Sequence, residues 1–205
     1  MKAVLCTHFG PPEALKIEDI ATPRPDPGEA LVRVKAVALN FFDTLLIAGK
    51  YQHKPPFPFS PGAEFAGIIE SVGTDVGEVA PGDRVVGYSG WGAAREIVAV
   101  DAQRLVKIPN ELEFERAAGV TVTYGTTLYA LRERAALKPG ESLVVLGASG
   151  GTGVAAVELG KIMGARVIAC ASSDDKLAFA REHGADEIVN YDREDLRGAL
   201  KKRGG

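Results

Sequence analysis

Residues 142–173 read SLVVLGASGGTGVAAVELGKIMGARVIACASS, and this stretch decides the fold of the chain. Its opening apolar run is typical of a buried strand, and the cluster of glycines after it is typical of a tight turn. Apolar residues at helical spacing follow, Gly164 is suited to end a helix, and 166–171 is again apolar and β-rich. The stretch therefore predicts a parallel βαβ unit of about 30 residues.

The glycine-rich turn of this unit, GASGGTG at 147–153, is a candidate dinucleotide site. Glycines let the backbone approach a diphosphate closely, and the free N–H groups at the start of the following helix complement its charge. The pattern alone is weak, because it is not a strict G-x-G-x-x-G and such turns also occur for packing. The flanking strands and helix favour nucleotide binding. We predict cofactor contacts at Ser149, Gly150, Gly151, Thr152 and Gly153.

The composition is ordinary for a soluble globular protein. The chain has 205 residues, 46% of them hydrophobic, with 24 Lys and Arg against 27 Asp and Glu. Because no basic stripe is present, we expect no nucleic-acid partner. The start lacks the apolar segment of a secretory signal, and no apolar run approaches ~20 residues, so we expect a cytoplasmic protein without a membrane partner. Cys6 and Cys170 fall on predicted strands and are expected to be buried and free.

Short β-rich segments separated by glycine and proline dominate the first 110 residues. Their number favours a barrel-like sheet. A helical pattern covers 40–48, and the four prolines of 51–61 predict an ordered loop. The predicted strands are 2–6, 15–20, 29–39, 62–73, 81–87 and 96–100.

Helices and strands alternate in the rest of the chain. A helical pattern covers 113–136, with Leu128, Leu131 and Ala135 spaced for one face. After the βαβ unit, the pattern predicts a helix capped by Ser172 or Ser173 and ended at Gly184, a strand at 188–190 and a helix at 194–203. We therefore expect an α/β chain with a β-rich domain at 1–115 and a nucleotide-binding domain at 116–205. A complete doubly wound dinucleotide fold has about six strands, whereas three are predicted here, so we expect a truncated sheet and a fragment of a longer protein.

Six spaced motifs together resemble one known family. They are Asn40-Phe41-Phe42-Asp43, Gly49-Lys50-Tyr51, PGAEFAG at 61–67, PGDRV at 81–85, Thr126 before Tyr129-Ala130-Leu131, and the glycine turn. In this order they resemble the medium-chain dehydrogenase/reductase superfamily, specifically its zinc-independent quinone oxidoreductase branch. The resemblance implies a GroES-like N-terminal domain, the first half of a Rossmann domain, and NADPH-dependent reduction of a quinone or related enone.

The residues argue against a metal site. Relatives that use catalytic zinc place Cys where this chain has Asn40 and His where it has Ala63. Two cysteines cannot build such sites, and the three histidines lack ligand spacing. We therefore expect no metal.

The end of the second strand of the βαβ unit favours NADPH over NADH. NAD sites often place a carboxylate there, whereas this chain has Ser172 and Ser173, with Lys176 one turn later. Neutral donors and a cation suit a 2′-phosphate, although Lys176 could also be a solvated helix residue. Tyr191 matches the position that flanks this phosphate in similar proteins. The Asp174-Asp175 pair could serve a ribose instead, but fits better as acids of the helix's first turn.

The resemblance also assigns residues to the nicotinamide cleft. It implies that Asn40, Asp43, Tyr51 and Thr126 lie near that cleft, with Thr126 contacting the carboxamide or ribose and Tyr51 protonating the product oxyanion. The protein need only position the acceptor and exclude water, because the cofactor supplies the reactivity. Alternatively, Asn40 and Asp43 cap a helix, Thr126 lies in a helix's first turn, and Tyr51 only contacts substrate.

Two other functions stay open. Gly49-Lys50-Tyr51 also resembles enoyl-thioester reductases, in which the equivalent tyrosine donates a proton. A non-catalytic nucleotide-binding or crystallin-like protein would bind NADPH without oxidising it. For the leading hypothesis the partner is a small-molecule quinone or enone. An unpaired strand edge is open to association, and a homodimer is the expected assembly.

Overall fold

The computed structural model describes residues 1–203, and the chain divides into two compact units, Met1–Thr121 and Val122–Gly205. Each unit has its own sheets and its own apolar core. The domains predicted at 1–115 and 116–205 stay a prediction. Within the described residues, every helix is too short or too polar to span a lipid bilayer.

The first unit is built on antiparallel β-structure. Its strands are β1 (Lys2–Leu5), β2 (Lys16–Asp19), β3 (Glu29–Ala38), β4 (Glu64–Val72), β5 (Arg84–Tyr88), β6 (Ile97–Asp101) and β7 (Leu105–Lys107). A five-stranded sheet has the order β6-β3-β4-β5-β7, and β1 and β2 pair separately. Along β3, Val32 is buried whereas Arg33 and Lys35 are exposed, as the alternation predicts.

The six strands predicted for this unit are confirmed, with ends that differ by up to three residues. Strand β7 was not predicted, because its three residues are too few to show periodicity and only Leu105 is buried. The predicted helix is α1 (Phe41–Ile47), and the proline-rich segment after it contains no helix or strand.

The second unit alternates strands and helices. Its elements are β8 (Ser142–Leu146), a helix (Gly151–Ile162), β9 (Arg166–Ala171), a helix (Asp174–Glu182), β10 (Glu187–Asn190) and a helix (Leu196–Lys202). The three strands form a parallel sheet of order β10-β9-β8, which confirms the predicted βαβ unit and third strand. Apolar residues from β8, β9 and the first of these helices form its core. Cys170 is buried on β9 and, like Cys6, is free.

The helical pattern over 113–136 is not one regular helix. Helix α2 (Phe114–Ala118) lies in the first unit, and α3 (Thr126–Tyr129) lies in the second, with a π-helical turn on each side. The three remaining helices are α4 (Gly151–Ile162), α5 (Asp174–Glu182) and α6 (Leu196–Lys202). The predicted common face is wrong, because Leu131 is 8% exposed but Leu128 is 40% exposed. In a π-helical turn the hydrogen bonds join residues i and i+5 instead of i and i+4. The residues that share one face of the chain are therefore spaced differently from those of an α-helix.

Candidate functional site

The glycine turn connects β8 to α4 with a tightly folded backbone. Gly147 has φ +63°, and its carbonyl oxygen accepts a hydrogen bond from the N–H of Gly150 at 3.0 Å. The N–H of Ala148 donates to Cys170 on β9, which fixes the turn to the sheet. A Cβ atom on Gly153 would lie 2.9 Å from the Cα of Ala148 and closer still to the Gly147 oxygen. Only glycine therefore fits at position 153.

The start of α4 differs from the starts of the two helices that follow it. Ser173 caps α5 and Asp195 caps α6 with side-chain oxygens. Among the described residues, no side chain caps α4, whose N-cap is Gly150. The first N–H groups of a helix have no partner inside it, so those at the start of α4 are free to bind an anion.

A cavity of about 520 Å³ adjoins this turn, with Thr126 at its edge. The predicted residues Gly150, Gly151, Thr152 and Gly153 all line it, whereas Ser149 is half-buried beside it. The glycine cradle and the free amides fit the diphosphate of a dinucleotide.

Thr127 is a candidate cofactor contact that the sequence did not indicate. Its side chain is buried against the cavity, and within residues 1–203 its Oγ1 makes no hydrogen bond. A buried hydroxyl without a partner is costly, so a ligand that supplies one is favoured at this place. Two adjacent threonines look alike in sequence, and only the irregular helix decides which of them is buried.

The residues predicted to bind the 2′-phosphate of NADPH lie together at the carboxyl end of β9. The ammonium group of Lys176 donates to the Ser172 hydroxyl at 3.0 Å, and the Ser173 Oγ accepts the N–H of Lys176 at 3.5 Å. Tyr191 follows β10 with its ring partly exposed, and its N–H donates to Ala171. The structure therefore places two hydroxyls, a cation and an aromatic ring at one edge of the sheet.

The competing acid, Asp174, is already engaged. The Asn190 side-chain amide donates to Asp174 Oδ1 at 2.7 Å, and Arg193 forms an ion pair with Oδ2 at 2.5 Å. Because both oxygens have partners, Asp174 is poorly placed to accept hydrogen bonds from a ribose. This arrangement agrees with its interpretation as a first-turn acid of α5.

The side chains of Tyr124, Glu158 and His183 form a half-buried triad. It connects the π-helical turn Thr121–Gly125 to α4 and to the residue that follows α5. The Tyr124 hydroxyl donates to Glu158 Oε2 at 2.5 Å, and His183 Nδ1 lies 2.5 Å from Oε1. The hydrogen bond to Glu158, with some burial, raises the pKa of Tyr124 to about 12. The same bond, followed by the one to His183, lowers the pKa of Glu158.

We expect Tyr124 to titrate in a late step, near its raised pKa of about 12. Its folded pKa lies above the ordinary value of about 10, so its contribution to stability is present below that pH and is lost as pH rises toward 12. Ultraviolet absorbance of tyrosinate should show a late step that disappears in Tyr124→Phe and moves to lower pH in Glu158→Gln. Alkaline titration curves with the same late step in all three proteins would contradict this assignment.

Asn40 and Asp43 form a partly buried network at the start of α1. Asp43 accepts the backbone N–H of Asn40 at 2.8 Å and that of Gly62 at 2.9 Å. The Asn40 amide donates to the fully buried Glu64 at 2.9 Å. Burial raises the pKa of Asp43, and its two backbone hydrogen bonds oppose this effect. Asp43 thus caps α1 as the alternative interpretation expected, and a catalytic role for either residue stays a prediction.

Tyr51 lines a second cavity, of about 370 Å³, within the first unit. Its ring stacks on Phe42 with 5.5 Å between centroids, and Tyr88 lines the same cavity. The aromatic loop residues Phe57 and Phe59 pack against each other instead, and Phe59 belongs to an apolar core. This loop therefore packs on its own unit, whereas Tyr51 remains accessible to a small molecule.

No group of three or more His, Cys, Asp or Glu within residues 1–203 is arranged to hold a metal ion. Independence from zinc stays a prediction.

Comparisons with known proteins agree with both units. The family model described as alcohol dehydrogenase GroES-like domain matches 26–110, and the model described as zinc-binding dehydrogenase matches 151–205. Mouse quinone oxidoreductase-like protein 2 is 42% identical over 206 residues, which cover 100% of this chain and 58% of the mouse protein. Human quinone oxidoreductase is 36% identical, with 93% of this chain and 59% of the human protein covered.

Solved structures lead to the same family. The Escherichia coli quinone oxidoreductase complexed with NADPH is 32% identical and matches with a TM-score of 0.93, covering 100% of this chain and 63% of that one. The Pseudomonas syringae quinone oxidoreductase also matches with a TM-score of 0.93, at 35% identity, over 99% of this chain and 62% of that one. The chain belongs to the medium-chain dehydrogenase/reductase superfamily, in its quinone oxidoreductase branch.

Membership of this superfamily confirms the α/β fold class, with a GroES-like unit followed by a Rossmann-type parallel sheet. The chain spans only about 58% of the length of the mouse relative.

Proposed function

We propose that the protein is an oxidoreductase that transfers hydride from NADPH to a quinone or related enone without a metal. The main support is the uncapped start of α4, where free amides and glycines leave room for a diphosphate. The relatives described as quinone oxidoreductases, one of them solved with NADPH, agree with this function.

In this proposal the second unit binds the cofactor. The amides of the glycine turn hold the diphosphate, and Ser172 and Lys176 hold the 2′-phosphate, with Tyr191 against the adenosine. Thr126 and Thr127 offer hydroxyls to the rest of the cofactor. When bound, NADPH supplies the hydride.

The first unit positions the acceptor. The aromatic cavity excludes water from it, and the Tyr51 hydroxyl donates a proton to the oxygen that becomes negative as the acceptor is reduced. Asn40 and Asp43 act as positioning residues, because their hydrogen bonds fix the start of α1, which precedes Tyr51.

Steady-state oxidation of NADPH tests this function, with quinones, enones and enoyl thioesters as acceptors, on this chain and on any longer gene product. We expect turnover of quinones or enones, and Tyr51→Phe should lower kcat by about 100-fold with little change in KM. The matched control is Tyr129→Phe, an exposed tyrosine of the second unit, which should leave both constants unchanged.

Three results would contradict the proposal. Turnover of enoyl thioesters but not quinones would favour the enoyl-thioester reductase hypothesis. Tight NADPH binding with no oxidation by any acceptor, even in the longer product, would favour the non-catalytic one. A rise in KM without a fall in kcat for Tyr51→Phe would reduce Tyr51 to a substrate contact.

A further inference from the structure

Two cavities of the first unit lie side by side. The aromatic cavity around Tyr51 and a neighbouring cavity of about 400 Å³ share Ser89, Trp91 and Arg104 as lining residues. The 400 Å³ cavity runs along strand β6. Because these three residues line both cavities, the two spaces are adjacent, and a ligand long enough to pass the shared side chains would contact both. We call the two cavities together the acceptor groove.

One end of the acceptor groove is aromatic. Phe42 and Tyr51 stack there, and the rings of His53 and Trp91 lie with centroids 5.7 Å apart. Tyr88 completes this lining. Aromatic walls suit a flat, conjugated molecule.

The other end contains two arginines, Arg95 and Arg104. Within the part of the chain that the structure describes, neither Arg95 nor Arg104 has a carboxylate within 4.0 Å, and the buried Nε of Arg95 makes no hydrogen bond. Gly92 places no side chain against the Arg95 guanidinium, whereas a Cβ at that position would lie 3.7 Å from Nη2. Burial without a partner is costly for a charge and lowers the pKa of Arg95, so an anion at this place would be strongly favoured.

The acids of the same cavity form no ion pair with these arginines within 4.0 Å among residues 1–203. Glu29 accepts the backbone N–H of Asp26, and Asp101 accepts that of Gln103. Arg104 also lines the aromatic cavity. Burial raises the pKa of Tyr88, and so do Tyr51 and Asp43, whereas the charge of Arg104 lowers it. Arg104 is therefore close enough to both cavities to contact one ligand that spans them.

We propose that the acceptor groove binds an anionic acceptor, with its flat conjugated head in the aromatic cavity and its carboxylate or sulfonate against Arg104 and Arg95. This proposal rests on the proposed reductase function for the identity of the head, and it adds the substrate class. Arg104 is then the residue that determines specificity for charged over neutral acceptors.

Trp91 provides a direct measurement, because it is the only tryptophan of the chain and lies between the two cavities. Quenching of its fluorescence can be titrated with anthraquinone monosulfonate and with neutral hydroxymethyl-anthraquinone, without cofactor or turnover. We expect the sulfonate to bind about 10-fold more tightly than the neutral compound. Arg104→Gln should remove this preference while leaving the affinity for the neutral compound unchanged, and Arg104→Glu should reverse it.

The matched control is Lys35→Gln, which removes an exposed positive charge from β3 and lines neither cavity. It should keep the preference for the sulfonate. Equal affinity of the two compounds for the wild-type protein would overturn the proposal, as would the same loss of preference in Lys35→Gln and Arg104→Gln. If either of these results were found together with turnover of neutral quinones, the proposed preference for anionic acceptors would be wrong, whereas the proposed reductase function would stand.

Discussion

Gly153→Ala should destabilise the second unit by more than about 3 kcal/mol and abolish nucleotide binding. The added Cβ would lie 2.9 Å from Ala148 Cα and 3.0 Å from Ala148 C, and closer still to the Gly147 oxygen. These neighbours are backbone atoms of the same turn, so no side-chain rotation can make room. The turn must open, and the free amides at the start of α4 then lose their common orientation. Urea denaturation and calorimetric titration with NADPH measure the two effects.

Gly150→Ala is the matched control for this substitution. It adds the same methyl group to the same turn, but its Cβ would meet only the Gly147 oxygen at an ordinary 3.5 Å, and its φ of −77° suits any residue. We expect a smaller loss of stability, about 1 kcal/mol, because alanine is a poorer N-cap residue than glycine but its Cβ meets no backbone atom closer than 3.5 Å here. If Gly150→Ala and Gly153→Ala were equally stable and bound NADPH equally, the close packing inferred for this turn would be wrong.

The βαβ unit could be predicted from sequence because its determinants are local. The apolar run of β8, the glycines and the helical spacing of α4 follow one another, and each restricts the backbone on its own. The predicted strand 166–171 therefore coincides with β9. The cap at Ser173 and the left-handed Gly184, with φ +106°, were predicted from equally local signals.

The side-chain networks could not be predicted, because their members are distant in sequence. Asn40 meets Glu64 across 24 residues, and Tyr124 meets Glu158 across 34. Nothing in either neighbourhood identifies the partner; the pairing of strands and packing of helices bring them together. Arg95, which has no carboxylate within 4.0 Å among residues 1–203, is a similar case, because this absence is a property of the folded unit.

Lys176→Ala should weaken binding of adenosine 2′,5′-bisphosphate roughly 10- to 100-fold and leave binding of AMP almost unchanged, because a charge-assisted hydrogen bond contributes about 1.5–3 kcal/mol. Lys176 is held beside Ser172 at 3.0 Å, and the neighbouring cation, Arg193, is already paired with Asp174. These two ligands probe the adenosine end of the site alone, so the measurement does not depend on turnover. Calorimetric titration at low ionic strength gives both affinities.

Lys201→Ala separates a specific contact from a general loss of positive charge. Lys201 is an equally exposed lysine on α6 of the same unit, so its removal changes the net charge by the same amount. Lys201→Ala should weaken the binding of both ligands by less than about twofold. Added salt should make this loss of affinity smaller still, because exposed charges are screened. Equal losses for the two ligands in Lys176→Ala would mean that Lys176 does not contact the 2′-phosphate. The preference for NADPH over NADH would then lose its main structural support.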